Sequence, residues 1–237
     1  MIAVVDYCKG NLRSVERSLI NAGADARITD DPAVIAEADA VVLPGVGAFA
    51  DASTTMIQTG QMQAIRNSIA AGKPFLGICL GEHLLFAEGT EGAVSAHVGA
   101  LDSDFSESAS DGIGATCEGL AVLPGTVDRI PEYDEQGNRY KVPHVGWNSV
   151  EFDPNTTCPL LQGIQPGEYF YFTHSYIAPQ TQACVATTTH SVTFPCVVQK
   201  GDTVFGVQFH PEKSSDAGAK VMENFVRLVD RNLAALQ

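Results

Sequence analysis

The pentapeptide Gly-Ile-Cys-Leu-Gly at 77–81 constrains this chain most, because it places a cysteine between two glycines at the end of an apolar run. Residues 74–78 predict a buried strand, and residues 82–87 predict the helix that follows. Cys79 then lies on a tight strand-to-helix turn of the nucleophile-elbow type, where the glycines let the backbone bend. A helix N-terminus favours the thiolate form of a cysteine. The pattern therefore predicts a nucleophilic thiol, against the alternative of a buried structural cysteine.

A candidate base lies far downstream, where an apolar strand at 203–209 ends in His210, Pro211 and Glu212. Proline disfavours helix at the preceding residue, so the pair is predicted to stay extended. Residues two apart in an extended segment project to the same side, which lets Glu212 hold one imidazole nitrogen while the other faces a thiol. The sequence thus predicts a triad of Cys79, His210 and Glu212, with an ordinary surface turn as the alternative for this segment taken alone.

A second glycine turn supplies candidate donors for an oxyanion. The strand at 40–43 runs directly into Pro-Gly-Val-Gly at 44–47. A backbone amide from 45–47, together with the amide of Leu80 just after the nucleophile, can bind the oxygen of a tetrahedral intermediate. The three elements together are the constellation that acyl transfer requires.

Six separated regions carry a resemblance to a known family. They are Val-Val-Asp-Tyr at 4–7 with Gly-Asn-Leu-Arg-Ser-Val at 10–15, Leu-Pro-Gly-Val-Gly-Ala-Phe at 43–49, the elbow at 77–81, Val-Pro-His-Val-Gly-Trp-Asn at 142–148, Tyr-Phe-Thr-His-Ser-Tyr at 171–176, and Gly-Val-Gln-Phe-His-Pro-Glu-Lys-Ser at 206–214. They span nearly the whole chain. The chain resembles the triad-type, class I glutamine amidotransferases, and within them the glutaminase subunits of imidazole glycerol phosphate synthase.

The resemblance implies hydrolysis of L-glutamine to glutamate and ammonia through a glutamyl thioester at Cys79. It also implies a partner, the barrel-shaped cyclase subunit of imidazole glycerol phosphate synthase. The cyclase would receive ammonia through a channel and form imidazole glycerol phosphate and an aminoimidazole carboxamide ribotide. No cofactor is implied. Two alternatives stay open: a glutaminase of another pathway, such as pyridoxal phosphate, purine or anthranilate synthesis, and a non-catalytic homologue.

The resemblance also assigns binding residues around the triad. The backbone near Val46 and Leu80 would form the oxyanion hole, and Gly45, Ser175 and Tyr176 would help to hold the glutamine. The segment at 146–148 would lie towards the cyclase.

The chain departs from the family pattern at three places. At 82–83 it has Glu-His where the family has a small or apolar residue and then Gln, and His83 as a neutral imidazole can donate to the same group. Cys8 and Lys9 replace a glycine and a variable residue. The third departure is an insertion around 89–118, whose small polar and acidic residues predict a solvated loop, with a regulatory element as the alternative.

The fold class follows from the order of the predicted elements. Strands at 2–6, 40–43 and 74–79 alternate with helices at 11–22 and 52–71, which is the pattern of a parallel sheet wrapped by helices. The second half is predicted to hold strands at 121–130, 145–152, 168–174, 183–189, 195–199 and 203–209, and a closing helix at 216–236. With 237 residues and 45% hydrophobic content, the chain is expected to form one domain over 1–237. The predicted fold is α/β, with a mostly parallel central sheet flanked by helices and further antiparallel strands in the C-terminal half.

Charge and composition exclude several classes of function. A net charge of -14 with only 14 Lys and Arg argues against nucleic-acid binding. We expect no membrane span and no signal peptide, hence a cytoplasmic protein. The six cysteines lack C-x-x-C spacing, so we expect reduced thiols and no metal site. The acidic, lysine-poor composition suits a salt-rich cytoplasm, with an acidic mesophilic enzyme as the alternative.

Overall fold

Strands and helices alternate over the first eighty residues, and strands dominate after them. The computed structural model describes residues 1–8, 10–93 and 115–235. Its strands are β1 (Ile2–Val5), β2 (Ala26–Thr29), β3 (Ala40–Gly45), β4 (Phe75–Cys79), β5 (Phe86–Gly89), β6 (Cys117–Glu118), β7 (Leu123–Arg129), β8 (His144–Phe152), β9 (Glu168–His174), β10 (Tyr176–Ile177), β11 (Cys184–Thr189), β12 (Thr193–Lys200) and β13 (Val204–Val207). Its helices are α1 (Leu12–Asn21), α2 (Pro32–Glu37), α3 (Phe49–Thr59), α4 (Gln61–Ala70), α5 (Leu80–His83) and α6 (Ser215–Ala235), with 3-10 turns at Pro159–Leu161 and Pro211–Lys213.

Within the described ranges, nine strands form one sheet in the order β2-β1-β3-β4-β13-β12-β11-β8-β9. The pairs from β2 to β13 are parallel, and those from β13 to β9 are antiparallel. Helices connect successive parallel strands, which such pairs require. This mixed α/β sheet, parallel in its first half and antiparallel in its second, is the predicted fold class.

The sheet is buried on both faces, and β1 shows how. Successive side chains of a strand point to opposite faces. Ile2 and Val4 pack in the cluster that contains apolar residues of α1 and α6, whereas Ala3 and Val5 pack in the cluster that contains those of α2, α3 and α4. All four residues are buried, which explains why the strand reads as a continuous apolar run.

The predicted helix at 82–87 is wrong. Helix α5 ends at His83, and Phe86–Gly89 is a strand that pairs in parallel with β7. The run of three apolar residues at 84–86 is buried throughout, and periodicity alone does not separate a short buried helix from a short buried strand. Strand β5 belongs to a second sheet of four strands, in the order β10-β7-β5-β6.

The ends of the predicted insertion meet in this second sheet, because Gly89 of β5 pairs with Cys117 of β6. The middle of the insertion, at 94–114, lies outside the described residues.

The single helix predicted at 52–71 is two helices. Gly60 separates α3 from α4 and has a φ of 80°, a left-handed conformation that ends a helix and that glycine adopts cheaply. Strand β2 and helix α2 were not predicted, because both are short and each contains few buried side chains.

The carboxyl ends of β3, β4 and β13 lie side by side at one edge of the sheet. Ligands bind at this edge in open α/β sheets. In the part of the chain that the structure describes, we find no helix with the length and apolar character needed to cross a bilayer.

Candidate active site

Cys79 ends β4 and precedes α5, as the elbow pattern predicts. Its φ of 54° is strained for a residue with a side chain, and such strain is concentrated at functional sites. Close backbone approaches require glycine on both sides. A Cβ atom at Gly77 would lie 2.3 Å from the Gly81 carbonyl oxygen, and one at Gly81 would lie 1.8 Å from the Leu43 carbonyl oxygen. The two glycines therefore fix the position of the thiol.

His210 and Glu212 form a buried pair. Nδ1 of His210 lies 3.0 Å from Oε1 of Glu212, and their side chains are 3% and 1% exposed. His210 is extended, as predicted, but residues Pro211–Lys213 form a 3-10 turn. The prediction that the whole pair is extended is therefore wrong, and Glu212 reaches the imidazole through a turn. Because the carboxylate accepts from Nδ1, Nε2 is left to face another group.

The His210 imidazole also interacts with the Cys79 sulfur. Its Nε2 is buried and has no hydrogen-bond partner among the described residues. Burial lowers the pKa of His210, but interactions with the Cys79 sulfur and the Glu212 carboxylate outweigh it and raise the pKa to about 9. The imidazole is therefore positively charged at neutral pH, beside a sulfur and a carboxylate that both stabilise the charge.

A cavity of about 430 Å³ opens beside Cys79. Its walls include four of the predicted site residues, namely Val46, Leu80, Ser175 and Tyr176. Gly45 is not part of the lining. It pairs with Cys79 across β3 and β4, and a Cβ atom on it would lie 2.7 Å from Cβ of Leu80. The volume is in the range of small-molecule sites.

Two side chains and one backbone carbonyl near the thiol were not predicted as a group. Nε2 of Gln208 lies 3.8 Å from Sγ of Cys79, and Oε1 of Gln208 lies 2.7 Å from Nε2 of His83. Sγ also lies 3.9 Å from the Thr173 carbonyl oxygen. The position of Gln208 two residues before His210 was the available sequence signal, whereas nothing in the sequence distinguishes Thr173.

Two more buried polar groups lie close to the elbow. The hydroxyl of Tyr7 would lie 2.5 Å from a Cβ atom on Gly45, and burial followed by the charge of Cys79 raises its pKa. Glu82 is fully buried, and neither of its oxygens has a partner among the described residues. Burial, and then the charge of Cys79, raises the pKa of Glu82 well above its usual value. Burial therefore favours the neutral form of both groups.

A chain of neutral histidines begins at His174, which lines the cavity. Nδ1 of His174 donates to the Tyr176 carbonyl oxygen at 2.9 Å, so its Nε2 accepts from Nδ1 of His144 at 3.0 Å. Nε2 of His144 then accepts from Asn148 at 3.3 Å. Burial lowers the pKa of His144 to about 4, with the charge of His190 as the second cause. Each tautomer in this chain is set by its neighbour.

These features define a class: a mixed α/β domain with a buried cysteine, histidine and glutamate at the carboxyl edge of its parallel strands. The match to a family model is more specific, since the model for "Glutamine amidotransferase class-I" covers residues 3–229. The chain belongs to the class I glutamine amidotransferases.

Individual relatives of this chain have a more specific name than the family. The chain is 41% identical to "Imidazole glycerol phosphate synthase subunit HisH" of Syntrophotalea carbinolica, over 95% of this chain and 98% of that one. It is 44% identical to the protein of the same name from Moorella thermoacetica, over 96% and 95%. Among solved structures, the "Crystal structure of glutamine amidotransferase" matches with a TM-score of 0.65 at 17% identity, over 97% of this chain and all of that one, which shows the shared fold.

Proposed function

We propose that this chain hydrolyses L-glutamine to glutamate and ammonia as the glutaminase subunit of imidazole glycerol phosphate synthase in histidine biosynthesis. The observation that carries the proposal is the contact of Cys79 with a His210 whose second nitrogen is held by Glu212, beside a cavity, in a class I glutamine amidotransferase chain. High identity over nearly the full length of relatives with this subunit's name supports the pathway.

In the proposed reaction, the Cys79 thiolate attacks the side-chain carbonyl carbon of glutamine, and a tetrahedral intermediate forms. Its collapse breaks the carbon–nitrogen bond, and His210 gives its proton to the leaving nitrogen, which departs as ammonia. A water molecule then attacks the thioester while His210 removes a proton from it. Glutamate leaves, and Cys79 is regenerated. A His210 pKa of about 9 supports this cycle, because the acid is protonated at the start.

The oxyanion hole and the substrate contacts are also proposals. We assign the oxyanion to backbone amides near Val46 and Leu80, because both residues line the cavity beside Cys79. Ser175 and Tyr176 line the same cavity and would hold the glutamine. Gly45 would act by letting β3 approach Leu80 closely, and its contact with substrate stays a prediction.

We further propose that the cyclase subunit docks over this cavity. Ammonia is mostly protonated in neutral water and then does not attack, so a direct transfer route is needed. A surface of suitable chemistry lies next to the cavity wall. On β8 and β9, the paired residues Val145 and Thr173, and Trp147 and Tyr171, share one face of the sheet with Tyr169.

This face is exposed and apolar. Trp147 is 51% exposed and Tyr169 is 56% exposed, and the Trp147 ring meets the Tyr171 ring edge-on at 6.2 Å. Thr173, at the end of the face, lines the cavity. Exposed aromatic clusters of this kind anchor protein interfaces. We call the residues Val145, Trp147, Tyr169 and Tyr171 the aromatic face.

Replacement of Trp147 by alanine tests the docking. We expect the Kd for the cyclase subunit to rise about 30-fold or more, because removal of a central aromatic anchor costs about 2 kcal/mol or more. The measurement is titration calorimetry of the chain against the purified cyclase. Ile20→Ala, at an exposed apolar residue on α1, is the matched control and should bind like the parent. A Kd of Trp147→Ala equal to that of the parent would show that the aromatic face is not part of the interface.

The extent of the domain and its location complete the proposal. We propose one domain over 1–237, with an insertion around 89–118 that leaves and re-enters the fold through the paired strands β5 and β6. We place the protein in the cytoplasm, which is supported by six free cysteines that include Cys79.

The function is tested by following imidazole glycerol phosphate formation with the cyclase present. The parent should form product from glutamine, whereas Cys79→Ala should form it only when ammonium is supplied at alkaline pH. Product from glutamine in Cys79→Ala would contradict the proposal. Glutamate release at the same rate with and without the cyclase would indicate that the chain serves another biosynthetic pathway.

A further inference from the structure

Gln208 lies between His83 and the nucleophile. Its side chain is fully buried, with Oε1 2.7 Å from Nε2 of His83 and Nε2 3.8 Å from Sγ of Cys79. His83 follows Cys79 by four residues on the short helix α5, and it lines the cavity. A three-residue chain of contacts therefore runs from His83 through one amide to the sulfur.

The orientation of that amide decides what the sulfur meets. With Oε1 towards His83, an amide N–H points to the sulfur and stabilises a thiolate. With the amide rotated by half a turn, an oxygen would face the sulfur, accept from a thiol and repel a thiolate. The buried amide thus has one orientation that supports a nucleophile and one that opposes it.

The tautomer of His83 selects between the two orientations of the Gln208 amide. Burial lowers the pKa of His83 to about 4, and the hydrogen bond to Gln208 only partly offsets this, so the ring is neutral at pH 7. A neutral ring that carries its proton on Nε2 donates to Oε1 and holds the observed orientation. His83 touches neither the sulfur nor His210 in these contacts, so its effect passes through Gln208.

We infer that His83 is a positioning residue that fixes the Gln208 amide with its N–H towards Cys79, and so gives the thiolate a second donor besides His210. This inference rests on the proposed role of Cys79 as the nucleophile. It assigns a purpose to the histidine of the Glu-His pair at 82–83, one of the places where the chain departs from its family.

Alkylation of Cys79 by iodoacetamide tests the inference without glutamine or the cyclase, because only the thiolate reacts. The modified peptides are quantified by mass spectrometry from pH 5.5 to 9.5. The exposed Cys8 in the same sample serves as the internal reference. Thermal unfolding of each variant confirms that it is folded.

His83→Leu removes the donor. Relative to Cys8, we expect its Cys79 alkylation at pH 6 to fall about three- to tenfold, and the difference to vanish by pH 9.5. His83→Gln retains an N–H donor and should stay within about twofold of the parent. If His83 only filled space, alkylation of Cys79 would depend on the size of the side chain at position 83. Recovery in His83→Gln would instead show that an N–H donor is what matters.

A double-mutant cycle tests whether His83 acts through Gln208. Gln208→Met should lower alkylation at pH 6 as His83→Leu does, and the double variant should show no further fall. Parent-like alkylation in His83→Leu, or a double variant in which the two losses multiply, would overturn the inference. Neither result would affect the proposed function, which glutamate release with the cyclase tests separately.

Discussion

Two glutamates are buried beside Cys79 and His210, the proposed nucleophile and base, and they differ in what surrounds them. Glu212 lies 3.0 Å from His210 and has a cationic partner. Glu82 has no partner for either oxygen among the described residues, and burial raises its pKa. A buried carboxyl group stays charged only where interactions with a partner offset the free-energy cost of losing its hydration. The same residue type therefore has a histidine partner at one position and none among the described residues at the other, where burial favours its neutral form.

The largest expected effect comes from Glu212→Gln. The amide keeps the shape of the side chain but carries no charge to support the imidazolium, so kcat for glutamate release should fall roughly 10²- to 10⁴-fold. The measurement is a steady-state assay with the cyclase and its ligand present. Activity within tenfold of the parent would mean that Glu212 is no more functional than Glu82.

The pH dependence of stability should expose the charge on His210. Because its pKa is raised from 6.5 to about 9, the stabilisation is fully present below pH 6.5 and is lost as the pH rises through 9. The free energy of unfolding of the parent, relative to His210→Gln, should fall by roughly 2–3 kcal/mol across this window. Urea unfolding at fixed pH values measures it. A constant difference across this window would show that folding does not raise the pKa of His210.

Glu82→Met should stabilise the chain. A raised pKa means that the unfolded carboxyl group ionises first, so Glu82 costs stability increasingly as the pH rises above about 4.5. We expect the free energy of unfolding to increase by about 1–2 kcal/mol at pH 7.5 and by less at pH 4. Glu37→Met, at an exposed position, is the matched control and should show no such pH dependence. Destabilisation by Glu82→Met at pH 7.5 would mean that the Glu82 carboxyl group makes a stabilising interaction in the folded protein.

The smallest effect belongs to Glu82→Gln. The amide is neutral at every pH, so the pH-dependent part of the cost should disappear while an unpaired buried polar group remains. The expected gain at pH 7.5 is below about 1 kcal/mol, measured in the same urea experiment. A gain equal to that of Glu82→Met would show that charge, and not the polar atoms, accounts for the whole penalty.

The contrast between these glutamates also shows what the sequence could predict. The elbow glycines are readable because only glycine fits where a Cβ atom would lie 1.8 Å from the Leu43 carbonyl oxygen. The strands β1, β3 and β4 were predictable from buried apolar runs. The partner of Glu212 was predictable because it lies two residues away. The isolation of Glu82 was not, since it depends on what packs against α5.

Errors in the fold have the same origin. Residues 86–87, which begin the strand Phe86–Gly89, were predicted as helix because the conformation of this strand is set by pairing with β7, far along the chain. The contact of Gln208 with His83 spans 125 residues and has no local signal. Local rules thus predicted many of the elements and proposed the reacting side chains, whereas the long-range contacts around them needed the structure.

Glutamate release from L-glutamine is the most direct test of the account, measured with the chain alone, with the ligand-bound cyclase, and with Cys79→Ser in place of the parent. We predict release that is strongest with the ligand-bound cyclase and that falls to background in Cys79→Ser. Release by Cys79→Ser at the parent rate, or no release by a parent chain that binds the cyclase, would contradict the claim that Cys79, His210 and Glu212 hydrolyse glutamine.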